Sequence, residues 1–204
     1  QEAMKKLLAL ALLIVVLIAA CATAKPRVKQ YTSAPRRETS TSIVPVYVDA
    51  DFSDLQKAGL KAALDEWNIA LNGLRRYEIQ SDDFAMSVEV LRRVVNNGEG
   101  LILLASDPGS FGDSIPERSL AFTTLNGGVI YFLMPRIKTR DIKSIAIHEI
   151  GHTLGIGHIE IAGCIMFPTY PFSVDCVDEY TTRSLATVNA FGWKLENMRY
   201  CYNG

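Results

Sequence analysis

The eleven residues 148–158 constrain this chain more than any other stretch, because they read HEIGHTLGIGH, with the spacing H-E-x-x-H-x-x-G-x-x-H. His148 and His152 are four residues apart, so a helix places both imidazoles on one face. Gly155 can adopt a left-handed backbone and end that helix, after which the chain turns and His158 approaches the same point. All three histidines of the chain belong to this pattern. The spacing therefore predicts a metal site at the end of a helix.

The ligand set predicts which metal is bound and what it does. Three neutral imidazoles with an open fourth position are typical of a catalytic zinc, since a structural zinc site is closed by a fourth protein ligand. Glu149 lies beside the ligands and can reach a water on the metal, whose pKa the zinc lowers. We predict one catalytic Zn²⁺ on His148, His152 and His158, with Glu149 as the catalytic base. A satisfied histidine pair would explain H-x-x-x-H alone but is a weak explanation for five matched positions.

A second motif follows the histidines, where residues 164–170 read CIMFPTY. Met166 lies eight residues after His158, and together the two motifs resemble the metzincin metallopeptidases. Pro168 and Tyr170 follow at the spacing of the matrixin branch. The resemblance implies a zinc metalloendopeptidase with Met166 as a hydrophobic support under the zinc ligands. It also implies that Pro168 and Tyr170 line the pocket for the side chain after the cleaved bond; the alternative is that they are turn and core residues.

The order of predicted elements resembles the matrixin catalytic domain over roughly residues 43–192. We predict strands at 43–48, 77–80, 101–105, 119–124 and 129–133. We predict one helix capped by Ser53 or Asp54 that runs to about 71 and ends at Asn72-Gly73, and another opened by Thr139 or Asp141 that runs to about 154. Further helices are predicted at 84–95 and 178–191. Pro45 indicates an edge or an irregular strand start, and the segment 84–95 also fits a strand. The expected fold is α+β, of metzincin type, with a twisted mixed sheet of about five strands, three or four helices, a zinc helix and a methionine turn.

The resemblance also implies a substrate-binding edge. Ser119-Leu120-Ala121-Phe122 occupies the place of the edge strand that binds substrate antiparallel, through backbone groups of Leu120 and Ala121. The alternative is an edge strand without a ligand.

The chain departs from the family in three places. Vertebrate matrixins carry a structural zinc and calcium sites, but no histidine remains here, and Tyr131 stands where one is expected. We predict no structural zinc and leave calcium open. Ile159 follows the third histidine, where several metzincin branches have a polar or acidic residue. The paired acids of the closing helix are replaced by Thr182 and Arg183, whereas Asp178 and Glu179 come earlier in the chain.

The N-terminus predicts export. Lys5-Lys6 precede an apolar run at 7–20, which is too short for a typical membrane-spanning helix. The run ends in Ile18-Ala19-Ala20-Cys21, which resembles a bacterial lipobox. We expect Met4 to be the natural start, residues 1–20 to be a signal peptide and Cys21 to be lipidated. Residues 21–42 would be a tether rich in Ser, Thr, Pro and basic residues, and residues 43–204 the zinc peptidase domain. Cleavage after Ala24, giving a secreted protein, and an uncut anchor stay open.

The number of cysteines and the net charge indicate which disulfide and which partners to expect. With Cys21 lipidated, three cysteines remain. Cys164 and Cys176 bracket the methionine turn and are the expected disulfide, with Cys176–Cys201 as the alternative. The net charge is −1, so nothing indicates a nucleic-acid partner. We expect a monomer, tethered to the bacterial cell envelope by its lipid, that acts on a protein or peptide substrate.

Two other functions remain open. A catalytically silent zinc-binding protein could serve adhesion or scaffolding in the envelope, although such a protein has no need of Glu149. A peptidase acting on cell-wall cross-links would keep the same chemistry and change the substrate.

Overall fold

The structure is a computed structural model that describes residues 29–34, 42–85, 89, 94, 100–124, 128–170, 174–188 and 192–203. The chain divides into a small unit, residues 1–30 with 203–204, and a large unit, Tyr31–Tyr202. The predicted signal peptide, Cys21, most of the tether, the turn at 126–127 and most of the segment 84–95 lie outside the described residues. No helix in the described part of the chain is long and apolar enough to span a bilayer.

Five strands of the large unit form one mixed sheet. The described strands are β1 (Lys29–Tyr31), β2 (Ser42–Asp49), β3 (Arg75–Phe84), β4 (Leu101–Ser106), β5 (Ala121–Thr123), β6 (Val129–Leu133) and β7 (Cys201–Asn203). The sheet has the order β3-β2-β4-β6-β5; its first four strands are parallel, and β5 runs antiparallel to β6. The α+β class and the mixed five-stranded sheet are confirmed, and β5 lies at one edge.

The helices follow local signals in the sequence. The described helices are α1 (Asp54–Leu71), α2 (Met134–Ile137), α3 (Ile142–Thr153) and α4 (Glu179–Val188), with 3₁₀ turns at Pro108–Ser114 and Leu195–Asn197. Ser53 caps α1 in a reciprocal capping box with Gln56, and Asn72 ends it in a left-handed conformation. Asp141 caps α3 by accepting hydrogen bonds from two of its first backbone N–H groups. The predicted bounds of α1 are confirmed. Of the two residues predicted to open α3, the structure has Asp141 and not Thr139, and the predicted end agrees to within one residue.

Two strands differ in length from the prediction, because their contacts with other parts of the chain set where they begin and end. β3 is longer than the predicted 77–80, because it pairs with β2 along its whole length. β5 is shorter than the predicted 119–124, since Ser119 is held in a turn by its hydrogen bond to Pro116. Pro45 lies where β2 pairs only with β3, before the stretch that also pairs with β4. Pro45 is therefore tolerated in a strand that is otherwise interior.

A buried tryptophan joins the two long helices. Trp67 of α1 is fully buried, and its indole Nε1 donates to the carbonyl of Ile147 in α3 at 2.9 Å. Near the start of α3, Lys143 Nζ lies 2.7 Å from Glu66 Oε1 of α1, and Tyr31 donates its hydroxyl to Glu66 Oε2. Burial and the Glu66 carboxylate raise the pKa of Tyr31. These contacts fix α3, which carries the histidine motif, against α1.

The expected disulfide between Cys164 and Cys176 is wrong, because the structure links Cys176 to Cys201. The backbone N–H of Cys201 donates to Val177 at 2.9 Å, which sets Cys201 beside Cys176 with their Cα atoms 6.3 Å apart. Cys164 is a buried free thiol whose Sγ faces Thr181 Oγ1 of α4 at 3.3 Å. The methionine turn is therefore held by packing and hydrogen bonds, not by a covalent link.

Candidate active site

The two helical histidines point their Nε2 atoms at each other. His148 Nδ1 lies 2.8 Å from the carbonyl oxygen of Ile165, and His152 Nδ1 lies 2.7 Å from that of Ile156. A carbonyl oxygen only accepts, so each Nδ1 carries a hydrogen and donates it. Each Nε2 is then an unprotonated nitrogen with a lone pair. These two Nε2 atoms lie only 3.1 Å apart.

This arrangement fits a divalent cation. After α3 the backbone turns at Gly155, with φ of 85°, and the ligand nitrogens of His148, His152 and His158 all lie within 4.8 Å of one another. Two lone pairs facing each other at 3.1 Å repel unless a cation lies between them, and zinc bonded tetrahedrally to two imidazoles sets a nitrogen–nitrogen separation of about 3.3 Å. The donor set therefore suits zinc.

The protein environment keeps these imidazoles neutral. Burial lowers the pKa of His148 to about 3, with the neighbouring histidines acting in the same direction and the bond to Ile165 opposing them. Burial also lowers the pKa of His152. A neutral imidazole is the form that binds a metal ion, so both residues are ready to act as ligands near neutral pH.

Glu149 is buried beside the histidines and held by the edge strand. Its side chain is 7% exposed, and burial raises the pKa of Glu149 to about 7, which the hydrogen bond from Thr123 partly opposes. Thr123 Oγ1 lies 2.8 Å from Glu149 Oε2 and 3.2 Å from the Glu149 carbonyl oxygen. Thr123 was not among the residues predicted from the sequence, where its signal is a hydroxyl two residues after Ala121, on the same face of the strand.

Met166 packs directly against α3. Its side chain is fully buried, and a Cβ atom added to Gly151 would lie 2.5 Å from Met166 Sδ and 3.4 Å from the Trp67 ring. The backbone N–H of Ile159 donates to the Met166 carbonyl at 2.9 Å. Gly151 is thus a close-packing position, although it is a variable residue of the motif H-E-x-x-H.

A carboxylate behind the methionine turn supports one of the histidines. Asp178 is 6% exposed and its Oδ2 accepts from the backbone N–H of Ile165 at 2.7 Å. Thr181 donates its N–H to Oδ1 and its hydroxyl to Oδ2. The carbonyl of the same residue, Ile165, accepts from His148 Nδ1. Asp178 therefore supports His148 through the backbone of Ile165. In the sequence, Asp178 stood out only as an acid that comes earlier than Thr182 and Arg183.

The predicted site residues line one open cleft of about 1050 Å³. Its lining includes Glu149, the three histidines, Leu120, Ala121, Pro168 and Tyr170, together with Thr123. Among these, Leu120 directs its carbonyl to β6, where it accepts from Leu133 N at 2.8 Å. Because backbone groups alternate in direction along an antiparallel edge strand, those facing the open edge belong to Ala121 and Thr123.

Comparisons with known proteins agree with this geometry. The model of the matrixin family, Peptidase_M10, matches residues 136–182. Metalloendoproteinase 5-MMP of Arabidopsis thaliana is 44% identical over 43 residues, which cover 21% of this chain and 12% of that protein. Metalloendoproteinase 2-MMP of the same plant is 55% identical over 29 residues, covering 14% of this chain and 8% of that protein. The matches span about a tenth of these relatives' length. With the fold, they support a matrixin-like domain.

Proposed function

We propose that this protein is a zinc metalloendopeptidase that hydrolyses peptide bonds within proteins or peptides. One observation carries the proposal: three histidine nitrogens converge within 4.8 Å, and the buried Glu149 carboxylate lies beside them in an open cleft. The match of the matrixin model over residues 136–182 supports it. The intact Glu149 also favours an enzyme over a binding protein, because metal binding alone needs no general base.

The cleft has the parts that hold an extended peptide. A substrate strand would add antiparallel to β5, with hydrogen bonds to the outward backbone groups of Ala121 and Thr123. Pro168 and Tyr170 would line the pocket for the side chain after the cleaved bond. The Tyr170 hydroxyl accepts from Asp141 N at 3.2 Å, which fixes the ring against the start of α3.

Residues of the chain perform the proton transfers. His148, His152 and His158 would hold Zn²⁺, which supplies Lewis-acid chemistry at the carbonyl and at a water. Glu149 takes the proton of the attacking water and delivers it to the nitrogen of the leaving amine. Thr123 holds Glu149 Oε2 in place, so the carboxylate needs little reorientation between the two transfers.

Export and lipid attachment form a second part of the proposal. The apolar run at 7–20 and the lipobox-like sequence before Cys21 support a lipoprotein held at a bacterial envelope. The disulfide between Cys176 and Cys201 fits an oxidising compartment. Labelling with a radioactive fatty acid tests this: incorporation that disappears in Cys21→Ala is expected, and equal labelling of both proteins would contradict lipidation at Cys21.

The activity is tested with the full-length protein in detergent, loaded with zinc, on a diverse peptide mixture read by mass spectrometry. The expected result is a set of internal cuts that Glu149→Ala abolishes while it still holds one zinc. Cuts that persist in this variant would overturn the role of Glu149. An absence of cuts from a protein shown to hold zinc would favour the catalytically silent zinc-binding protein.

A further inference from the structure

The cleft is basic where it is lined by residues before β5 and by residues in and just after α2, and this part is called its basic end. Four cationic side chains line the cleft, against two carboxylates, Glu117 and Glu149. The cations are Arg118, Arg136, Lys138 and Arg140. The whole chain carries a net charge of only −1, so this excess of positive charge is local to the cleft. A concave surface lined by one sign of charge concentrates the potential that attracts an opposite charge.

The arginine of α2 is held in a defined position. Arg136 Nη1 donates to the carbonyl of Pro116 at 2.7 Å and to that of Ser119 at 3.1 Å. Both acceptors precede the edge strand β5. A guanidinium has five N–H donors, so these bonds to Nη1 fix the group and leave other donors able to bind a substrate oxygen.

Arg140 lies over the proposed pocket. Its guanidinium carbon is 5.9 Å from the centre of the Tyr170 ring, a cation–π contact, and Arg140 also donates to the carbonyl of Arg136. The nearest acid in sequence, Asp141, accepts from the backbone N–H groups of Lys143 and Ser144 as the cap of α3. The Asp141 carboxylate is therefore engaged as the helix cap.

The cleft cations have no acidic partner in the described part of the chain. Ion pairs there involve other cations: Lys61, Arg76, Lys143 and Arg183. Arg118, Lys138 and Arg140 are exposed at the cleft mouth, and Arg136 is half-buried. A ligand carboxylate could therefore bind these groups without breaking an existing ion pair.

The direction of the edge strand shows which half of a substrate meets this end. β5 runs from Ala121 to Thr123, and Thr123 contacts Glu149. A peptide antiparallel to β5 has its C-terminal half toward the start of the strand. Arg118 and Ser119 lie there, and Arg136 is bonded to Ser119. The basic end therefore flanks the residues after the cleaved bond.

We propose that this basic end binds a substrate carboxylate lying within about three residues on the C-terminal side of the cleaved bond, and so sets specificity. Such a carboxylate has two sources: an Asp or Glu side chain, or the free C-terminus of a short peptide. The proposal rests on the proposed peptidase function and names the substrate class. Arg118 and Arg140 are its main specificity residues, because they are exposed at the cleft and Arg140 lies over Tyr170.

The test uses a peptide that the zinc-loaded, full-length protein cuts, remade in matched forms. In one series, each of the three positions after the cut holds Glu or Gln, with the C-terminus amidated. In the other, the peptide ends two or three residues after the cut as a free acid or an amide. We expect kcat/KM to be about fivefold to tenfold higher for the carboxylate form at one position or more. The ratio of kcat/KM between the carboxylate and neutral forms should decrease as the salt concentration rises from 0.1 to 1 M, since the screening length shortens from about 10 to about 3 Å.

Charge-removing variants assign the effect to these residues. In Arg118→Gln/Arg140→Gln, the ratio between carboxylate and neutral peptides should fall to below about twofold. Arg76→Gln is the matched control, an exposed arginine on β3 at the opposite edge of the sheet; it should keep the wild-type ratio. An advantage for Glu peptides identifies an acidic side chain as the source, and an advantage for free-acid peptides identifies the C-terminus.

Failure of this inference is distinct from failure of the proposed function. Cuts with equal kcat/KM for all matched pairs would overturn carboxylate recognition and leave the peptidase intact. If no peptide is cut, the matched forms are made from a peptide of the mixture that zinc-loaded Glu149→Ala binds, and their binding to this variant is measured by fluorescence anisotropy. Equal affinity for carboxylate and neutral forms there would also overturn the inference, whereas tighter binding of carboxylate forms, lost in the double variant, would support it.

Discussion

Thr123 Oγ1 lies 2.8 Å from Glu149 Oε2, so the edge strand that faces the cleft also holds the proposed catalytic carboxylate. The hydroxyl belongs to β5 and the carboxylate to α3, 26 residues apart. The residue whose backbone is placed to bind substrate is thus the residue that orients the base. In the proposed peptidase, substrate binding and catalysis would therefore meet at Thr123.

Removing the hydroxyl should therefore slow turnover more than it weakens binding. Thr123→Val keeps the shape of the side chain and loses the hydrogen bond, whose net value of about 1 kcal/mol corresponds to a decrease in kcat of about fivefold. KM should change little, because the backbone groups remain. Steady-state kinetics on a peptide cut by the wild type measures both, and Thr123→Ser should retain most of kcat. A valine variant with wild-type kcat would show that the hydroxyl does not position Glu149.

Gly151 is predicted to resist even the smallest substitution. An added Cβ would lie 2.5 Å from Met166 Sδ, and such overpacking costs about 1–3 kcal/mol, which exceeds the gain of about 0.5–1 kcal/mol from replacing a helical glycine by alanine. Gly151→Ala should lower the free energy of unfolding in urea by about 1–2 kcal/mol. Gly157→Ala is the control in the same motif, because a Cβ added there would have no neighbouring atom within 4 Å. It should change the free energy of unfolding by less than about 0.5 kcal/mol. Equal stability of both variants would contradict the tight packing.

Asp178 should affect metal affinity without touching the metal. Asp178→Asn replaces one carboxylate oxygen by an NH₂ group, so it cannot accept all the bonds that Ile165 and Thr181 now donate. Loss of this support for Ile165 and His148 should weaken zinc binding about 10- to 100-fold, as measured by competition with a chelator. Glu179→Gln is the control, because this next residue is half-buried and pairs with Arg183, away from Ile165. Unchanged affinity in Asp178→Asn would remove the proposed route through Ile165.

The cysteines give a covalent test of the fold. Alkylation of the denatured, unreduced protein should label Cys164 and leave Cys176 and Cys201 unlabelled, as read by peptide mapping. Replacing both linked cysteines by serine should lower the free energy of unfolding by about 3 kcal/mol, because the two cysteines are 25 residues apart in the sequence and the disulfide closes the loop between them. A linked peptide containing Cys164 would contradict this pairing.

Features that depend on neighbours along the chain could be predicted without the tertiary structure. The ends of α1 were predicted from Ser53 or Asp54 and from Asn72-Gly73, and the structure has Ser53 and Asn72 as its caps, since caps bond backbone groups within one turn. The spacing of His148, His152 and His158 predicted their convergence, because a helix and a glycine turn relate residues four and ten positions apart by local geometry.

Features that depend on strand order and on the return of the chain were set by tertiary packing. β3 took its length from its partner β2, and Cys176 paired with Cys201 because the backbone after β6 and α4 brings Cys201 back beside Val177. The bonds of Thr123 to Glu149 and of Asp178 to Ile165 join residues 26 and 13 apart. No local propensity sets such contacts; they form because packing the edge strand against α3, and the residue before α4 against the methionine turn, buries these polar groups, which must then find partners.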